Sequence, residues 1–213
     1  EKARTARDRE IGDRVAFLLD TTGVPQVWSL DEPGVWPDQM TAYDERITFV
    51  EYSPASSELA FGMDDGGNER QQFYRHDPDT GTVTPLTDRP DAKHRWGGWS
   101  NDGARFAFTA NRRDTAVFDV YVQERTDGGD DADRIHEGDG WLTVAGWSPD
   151  DTELAVHRAY SNYDQDVYVL DLASGDFRHV TPHEGDVRFL GVEWGPAGEG
   201  IYLTTDADAD TMY

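Results

Sequence analysis

The chain has 213 residues and a mass of 23.9 kDa, and 43 acidic residues against 19 basic residues give it a net charge of −24. Such a charge repels phosphate backbones and anionic lipid headgroups, so the composition argues against nucleic acid and membrane surfaces as partners. Cysteine is absent, which excludes disulfides, thiolate nucleophiles and cysteine-ligated metals. We expect no cofactor, and any metal would have to be held by His, Asp and Glu.

The acidity has an unusual make-up, because 30 Asp and 13 Glu are set against 17 Arg and only two Lys. Low apolar content with high net charge is typical of disorder, but the 12% of aromatic residues fall in patterned runs and indicate a folded domain. A folded protein with this charge is best screened in concentrated salt. The composition resembles that of proteins from extreme halophiles, and we expect a KCl-rich cytoplasm. An acidic interaction domain from an ordinary cell is the alternative.

An apolar triplet recurs along the chain after an N-terminal segment, residues 1–13, that carries no repeat. The triplets begin at Val15, Leu59, Phe106, Leu154 and Ile201. From the second copy onward an aromatic residue precedes the triplet by seven positions, at Tyr52, Trp99, Trp147 and Trp194. These anchors are 47, 48 and 47 residues apart. A fixed period of this length indicates a repeat architecture.

A second landmark, an apolar residue followed by an aromatic one, comes after each triplet. Its aromatic members are Trp28, Tyr74, Tyr121, Tyr168 and Tyr213. Three copies then close on Thr41, Thr87 and Thr181, while the third copy reads RIHEG at that point. Each period therefore holds four short apolar segments separated by turn residues, a pattern typical of strands. Four antiparallel strands in 47 residues predict one blade of a β-propeller.

The sequence thus predicts an all-β protein, a β-propeller of four-stranded antiparallel blades with about four and a half blades present and the ring incomplete. The predicted blades span residues 14–41, 42–88, 89–138, 139–183 and, in part, 184–213. We expect the landmark aromatics to pack between neighbouring sheets, since a blade cannot bury both of its faces alone. We interpret the chain as part of a longer protein and expect it to self-associate through open sheet edges.

The strings GWSPDDTELAV and DVYVLDL and the closing L-T pairs resemble blades of prolyl oligopeptidase family serine peptidases and of TolB-like propellers. The segment DAKHRWGGWSNDGARFAFTANRRD is similar to N-terminal propellers of acylaminoacyl-peptidase-like haloarchaeal members. The resemblance implies a C-terminal α/β-hydrolase domain with a Ser, Asp and His triad, which this chain lacks. It also implies that the propeller covers the active site and limits access to short peptides. The alternatives are a TolB-like interaction scaffold with no enzyme attached and, less favoured, a metal-dependent propeller lyase.

Two serines come nearest to a nucleophile motif. The strings GWSND and GWSPD place Ser100 and Ser148 after a glycine, but a nucleophile elbow needs a second glycine where both have Asp. Both also fall between two predicted strands of a repeat. We therefore expect them to be turn residues and expect no catalytic residue in this chain, while the family resemblance implies that the parent protein is a serine hydrolase.

The histidines and acidic strings give no metal motif. The six histidines are His76, His94, His136, His157, His179 and His183. The last two are four residues apart, a spacing that in strand and loop should not place both imidazoles on one face, and we expect solvated loop histidines. A D-x-D-x-D string at Asp206, Asp208 and Asp210 lacks the Gly and Glu of an EF-hand loop, so we expect solvated surface there.

One compact basic patch, Lys93 to Trp96, is predicted to lie in a loop before the innermost strand of its blade, near the central channel. Arg112 and Arg113 follow the triplet strand of the same blade. Arg95, Arg112 and Arg113 are therefore the candidate contacts for a peptide carboxylate or for an acidic face of the hydrolase domain, because guanidinium pairs with carboxylate bidentately. Pairing with neighbouring carboxylates of the chain itself is the alternative.

Overall fold

A computed structural model of the protein describes residues 14–129 and 131–207. Within these residues seventeen strands form five antiparallel sheets of two to four strands. The described residues confirm the predicted fold class, an all-β incomplete propeller of four-stranded blades. No helix of membrane-spanning length and hydropathy occurs in this part of the chain. The N-terminal segment 1–13, the predicted landmark at Tyr213 and the acidic residues Asp208 and Asp210 lie outside the described residues.

The chain divides into two compact units, which are described separately. The described part of unit 1 comprises residues 14–94, 125–129 and 131, and that of unit 2 comprises residues 95–124 and 132–207. Unit 1 contains one sheet of three strands and one of four, each in chain order. These strands are β1 (Val15–Leu19), β2 (Gln26–Leu30) and β3 (Asp38–Gln39), then β4 (Ile47–Tyr52), β5 (Leu59–Met63), β6 (Gln72–Asp77) and β7 (Thr82–Pro85).

Unit 1 buries a core shared by its two sheets. Its buried members are Ala16, Val27, Ile47, Tyr52, Leu59 and Phe61. The anchor Tyr52 is 9% exposed, and its hydroxyl lies 2.9 Å from the Ser29 hydroxyl of the other sheet. The landmark aromatic therefore contributes both apolar area and a satisfied polar group to the space between two blades.

Unit 2 contains two four-stranded sheets and one two-stranded sheet. The first sheet holds β8 (His94–Trp99), β9 (Arg105–Ala110), β10 (Asp119–Glu124) and β11 (Asp133–His136). The second holds β12 (Trp141–Trp147), β13 (Glu153–Ala159), β14 (Gln165–Asp171) and β15 (Phe177–His179), and the third holds β16 (Phe189–Trp194) and β17 (Ile201–Thr205). His94, Arg95 and Trp96 lie within β8, so the loop predicted for them is wrong. In this strand His94 and Trp99 are buried, while Arg95 is exposed.

The anchor tryptophans of unit 2 join neighbouring sheets. Trp147 donates its indole N–H to the Gly98 carbonyl at 3.0 Å, and Trp194 donates to the Gly146 carbonyl at 3.3 Å. Trp147 is 7% exposed and packs with Leu154 and other buried residues of the main core of this unit. The predicted packing role of the anchors is confirmed, and the indoles of Trp147 and Trp194 also donate to a backbone carbonyl of the adjacent sheet.

The two serines that resembled nucleophiles are buried turn residues. Ser100 and Ser148 are 0% and 2% exposed. Each hydroxyl donates to the aspartate two residues on at 2.7 Å and accepts the N–H of the residue five positions on at 2.9 Å. The hydroxyl therefore closes the hairpin between the first two strands of its blade, as predicted.

The closing threonines also have one common structural role. Thr41, Thr87 and Thr181 each accept, at 2.8 to 2.9 Å, the N–H of the residue fourteen positions earlier, which lies in β2, β6 and β14 respectively. Each hydroxyl thus completes the hydrogen bonding of its blade where the outermost strand ends. The structure explains why threonine recurs at this position.

Candidate functional site

A polar residue lies at or next to the start of β2, β6, β10 and β14, one strand in each of four sheets. These residues are Gln26, Gln72, Asp119 and Asp166. In each case the side chain accepts a hydrogen bond from the segment that leads to the next sheet. The donors are the Tyr43, Arg89 and Gly138 N–H groups and the Thr181 hydroxyl. Sequence analysis missed this position, although Gln or Asp recurs there at intervals of 46, 47 and 47 residues.

Two of these residues are aspartates, and both belong to unit 2. They lie where the loops 111–118, 137–140, 160–164 and 180–188 meet the ends of the strands. These loops share one edge, which we call the loop edge, because antiparallel strands bring the second connection and the closing connection of each blade to the same side. Asp119 and Asp166 are 0% and 5% exposed, so their charges need partners.

Asp119 binds Arg113, one of the three arginines singled out by sequence. Nε and Nη2 of Arg113 donate to the two oxygens of this carboxylate at 3.0 and 2.8 Å, and Nη2 also donates to the Gly138 carbonyl at 2.7 Å. The hydrogen bonds to Asp119 raise the pKa of Arg113 above its ordinary value. This bidentate geometry occupies the guanidinium fork. Arg113 therefore pairs with a carboxylate of the chain itself. Such pairing was the alternative to a contact with an external carboxylate.

Arg112 and Arg95 have different surroundings from Arg113 and from each other. The Arg112 guanidinium carbon lies 5.0 and 4.9 Å from the ring centres of Phe108 and Tyr121. The Arg95 guanidinium carbon lies 4.1 Å from the ring centre of Trp141 and 5.5 Å from that of Phe118. The structure therefore gives the three predicted contact residues three separate sets of partners and does not focus them on one point.

Aromatic rings are exposed along the loop edge. Trp141, Tyr160 and Tyr163 are 41%, 49% and 66% exposed. Trp141 opens β12 and is paired with Ala159 of β13, so Tyr160 follows directly beside it. The Arg158 guanidinium carbon lies 4.6 Å from the Tyr160 ring centre, and Arg158 also pairs with Asp139 at 3.0 Å. Exposed rings beside guanidinium groups offer both contact area and hydrogen-bond donors to a ligand.

Asp166 gathers a cluster of titratable groups. Its Oδ1 lies 2.6 Å from Nε2 of His179 and 3.3 Å from Nδ1 of His183, and its Oδ2 accepts the Tyr160 hydroxyl at 3.0 Å. The second nitrogen of His183 lies 3.1 Å from Asp164. Burial and hydrogen bonds, to the Tyr168 hydroxyl and to Asp166, raise the pKa of Tyr160. Asp166 thus fixes side chains from three segments of one blade.

His183 lies between two carboxylates of this cluster, those of Asp164 and Asp166. Its hydrogen bond with the Thr181 carbonyl, together with Asp164 and Asp166, raises its pKa above the ordinary histidine value, against an opposing effect of desolvation. Both His179 and His183 reach one carboxylate, so the expectation that this spacing keeps the imidazoles apart is wrong. The chain turns at residues 180–182 after β15 and brings the second ring back to the first.

The other histidines are not solvated loop residues either. His76 and His94 are 5% and 3% exposed and lie in β6 and β8, while His136 and His157 lie in β11 and β13. Burial lowers the pKa of His76 and of His136. Strand positions carry them because the imidazoles fill space between sheets. Within residues 14–129 and 131–207 no group of three or more His, Asp or Glu is placed to hold a metal ion.

Asp206 also departs from its expected solvated state. Its carboxylate accepts the Arg188 N–H at 2.8 Å and the Nε of the same residue at 2.6 Å, and these bonds lower the pKa of Asp206. The aspartate therefore ties the end of β17 to the residue before β16. The pairing could not be predicted from a string of alternating acids.

The sheets, the anchor tryptophans and the loop edge define a protein of the β-propeller class. No protein-family model and no curated protein matches the chain. Among solved structures the chain is similar to TolB from Acinetobacter baumannii, with 18% identity, a TM-score of 0.65 and coverage of 93% of this chain and 50% of that one. It is also similar to a prolyl endopeptidase, with 15% identity, a TM-score of 0.75 and coverage of 96% and 32%.

A third similar structure is an oligogalacturonate lyase in complex with manganese, with 16% identity, a TM-score of 0.75 and coverage of 96% of this chain and 59% of that one. At these identities the similarity shows the fold alone. The chain spans less than two thirds of the length of each of these three proteins. The comparisons thus support a propeller of the kind found in TolB and in prolyl endopeptidases.

Proposed function

We propose that this chain is the non-catalytic propeller portion of a serine peptidase of the prolyl oligopeptidase family that acts on short peptides. The similarity to a prolyl endopeptidase over 96% of the chain carries the proposal, and the repeat strings that resemble this family support it. Similarities to a puromycin hydrolase and to oligopeptidase B from Leishmania major, with TM-scores of 0.70 and 0.60, point the same way.

In this proposal the propeller restricts access to the catalytic site and the chemistry belongs to a C-terminal α/β-hydrolase domain. Peptide cleavage would proceed by acyl transfer through a seryl intermediate on that domain. Ser100 and Ser148 do not fit this role, because they are buried and use their hydroxyls to close turns. The exposed rings and guanidinium groups of the loop edge would meet the substrate or the partner domain.

The test compares this chain with the full-length protein on short acyl-peptide and prolyl substrates. We expect the chain alone to be inert and the full-length protein to cleave these substrates. A serine-directed phosphonate should abolish that cleavage. A full-length protein that cleaves none of these substrates would reject the proposal.

A second candidate is a propeller that acts as a protein-interaction scaffold with no enzyme attached. The similarity to TolB over 93% of the chain favours it. The two candidates differ in the coding sequence that follows Tyr213. A G-x-S-x-G string within a further α/β domain supports the peptidase, and a stop soon after the last blade supports the scaffold.

Two further parts of the proposal concern the salt content of the cell and the oligomeric state. The excess of Asp with only two Lys favours a high-salt cytoplasm, and unpaired sheet edges favour self-association of the isolated chain. Stability that is complete without salt would reject the first, and a monodisperse monomer of 23.9 kDa would reject the second. Metal analysis of the purified protein tests the remaining candidate, a propeller lyase.

A further inference from the structure

Arg95 occupies a defined position on the loop edge although it is exposed. Its guanidinium carbon lies 4.1 Å from the ring centre of Trp141 and 5.5 Å from that of Phe118. Phe118 is 1% exposed and belongs to the core of unit 2, whereas Trp141 is 41% exposed. Stacking on a ring limits the orientations of the guanidinium plane. The site therefore combines the buried Phe118 ring, the partly exposed Trp141 indole and the Arg95 guanidinium stacked beside them.

Arg95 differs from two other arginines of unit 2 in its pairing with carboxylates. Arg113 and Arg158 of the same unit pair with Asp119 and Asp139 at 2.8 and 3.0 Å. Among the described residues no carboxylate oxygen lies within 4.0 Å of a nitrogen of the Arg95 guanidinium. Burial lowers the pKa of Arg95, and a guanidinium remains charged at neutral pH in proteins. Arg95 thus keeps hydrogen-bond donors for an acceptor from outside the chain.

We propose that Arg95 and Trp141 form a binding site for the carboxylate of a small organic ligand. Arg95 receives the two carboxylate oxygens on two parallel N–H donors, and the uncharged part of the ligand next to the carboxylate lies on the Trp141 indole. A carboxylate is favoured over a phosphate because each added negative charge is repelled by a protein of net charge −24, and a carboxylate adds only one.

Two sources can supply this chemistry, the C-terminus of a short peptide and an acidic sugar. The site belongs to unit 2 alone, so it does not depend on whether a hydrolase domain follows the chain. The proposal therefore stands or falls separately from the peptidase function. Failure to cleave peptides would leave it intact, and loss of carboxylate binding would leave peptidase activity of the full-length protein to be judged on its own.

The experiment is isothermal titration calorimetry of the 213-residue chain with four probes. Acetyl-dialanine and D-galacturonate carry the carboxylate, and acetyl-dialanine amide and D-galactose are their uncharged counterparts. We expect at least one acid to bind with a Kd of about 1 mM or tighter and its counterpart to bind at least about tenfold more weakly. Binding of acetyl-dialanine identifies a peptide source, and binding of galacturonate identifies a sugar source. Binding of neither acid, or equal binding of acid and counterpart, overturns the proposal, as does tighter binding of inorganic phosphate.

Variants assign the binding to the site. Arg95→Gln should weaken the acid at least about tenfold, and Arg95→Lys should weaken it less, since the charge remains but the planar fork is lost. Arg178→Gln is the matched control, because it removes one exposed arginine charge from β15 of the same unit. An unchanged Kd in both Arg95 variants overturns the proposal, and so does an equal loss in Arg178→Gln. The lysine variant covers the case in which Arg95→Gln fails to fold.

Discussion

The contact between the two serine turns of unit 2 offers a sharp test of how its blades are held together. One Asp151 oxygen accepts the main-chain N–H of Asn101 at 2.6 Å and the side-chain N–H of the same residue at 2.7 Å. The other oxygen accepts the Asp102 N–H at 3.0 Å. Asp151 has a backbone φ of 58°, in the left-handed region that side chains other than Asn and Asp rarely adopt. The residue thus combines a link between blades with an unusual backbone conformation.

Three substitutions at Asp151 distinguish the effect of its three hydrogen bonds from the effect of its backbone conformation. A hydrogen bond to a charged acceptor is worth about 1.5–3 kcal/mol, and because these groups are partly exposed we take about 1 kcal/mol for each. Asp151→Gly keeps the conformation and loses all three bonds, so it should lower the free energy of unfolding by about 3 kcal/mol. Asp151→Ala adds a left-handed penalty of about 1 kcal/mol. Asp151→Asn keeps one acceptor oxygen and should cost about 1 kcal/mol.

Urea-induced unfolding in molar KCl, followed by tryptophan fluorescence, measures these differences. Asp186→Ala is the control, because it removes one exposed negative charge from the same unit and reports the relief of repulsion alone. The expected order of destabilisation is Ala, then Gly, then Asn. An Asp151→Gly variant as stable as the wild type would show that the turn conformation matters and that the three hydrogen bonds do not stabilise the contact between the blades.

Three further variants test particular contacts of unit 2. His183→Gln should lower the free energy of unfolding more at about pH 5.5 than at about pH 8.5. The reason is that a histidine with a raised pKa in the folded state stabilises the fold only while its imidazole is protonated. Equal losses in urea titrations at both pH values would contradict this. Ser148→Ala should lower the free energy of unfolding by about 1–2 kcal/mol and leave the kcat of the full-length protein on peptide substrates unchanged, whereas a loss of kcat at full stability would make this hydroxyl a reactant. Gly97→Ala should cost about 1–3 kcal/mol in the same urea assay, because its Cβ would lie 2.5 Å from the Val144 Cβ, while Gly146→Ala, with no atom within 4 Å of its added Cβ, should cost less; equal costs would contradict the packing argument.

The fold could be predicted from the sequence because the determinants of a blade are local. An anchor aromatic, a serine turn and an apolar triplet lie within about ten residues of one another and repeat with a period of about 47. Each of these features indicates a strand or a turn without knowledge of contacts to distant residues. Ser148, which closes its turn with the N–H of the residue five positions on, is an example. The closing threonine was visible as a pattern, but its partner fourteen residues earlier was not, because the sequence does not show which backbone N–H is left unpaired.

The chemistry of the loop edge was less predictable because it depends on contacts between loops. Arg95, Arg112 and Arg113 have equal standing in the sequence, and only the structure separates a guanidinium paired with Asp119 from one stacked on Trp141. The grouping of His179 with other side chains around a buried carboxylate required knowledge of how the chain turns after β15. The recurring Gln or Asp at or next to the start of β2, β6, β10 and β14 was the missed signal that marked this edge.

The proposed role of this chain as the non-catalytic propeller of a serine peptidase can be tested by locating the reactive serine of the full-length protein. The experiment is labelling with a fluorophosphonate followed by peptide mass spectrometry. We expect one labelled serine, located outside residues 1–213, and loss of peptidase activity in proportion to labelling. A labelled serine within residues 1–213, or a full-length protein with no labelled serine, would contradict it.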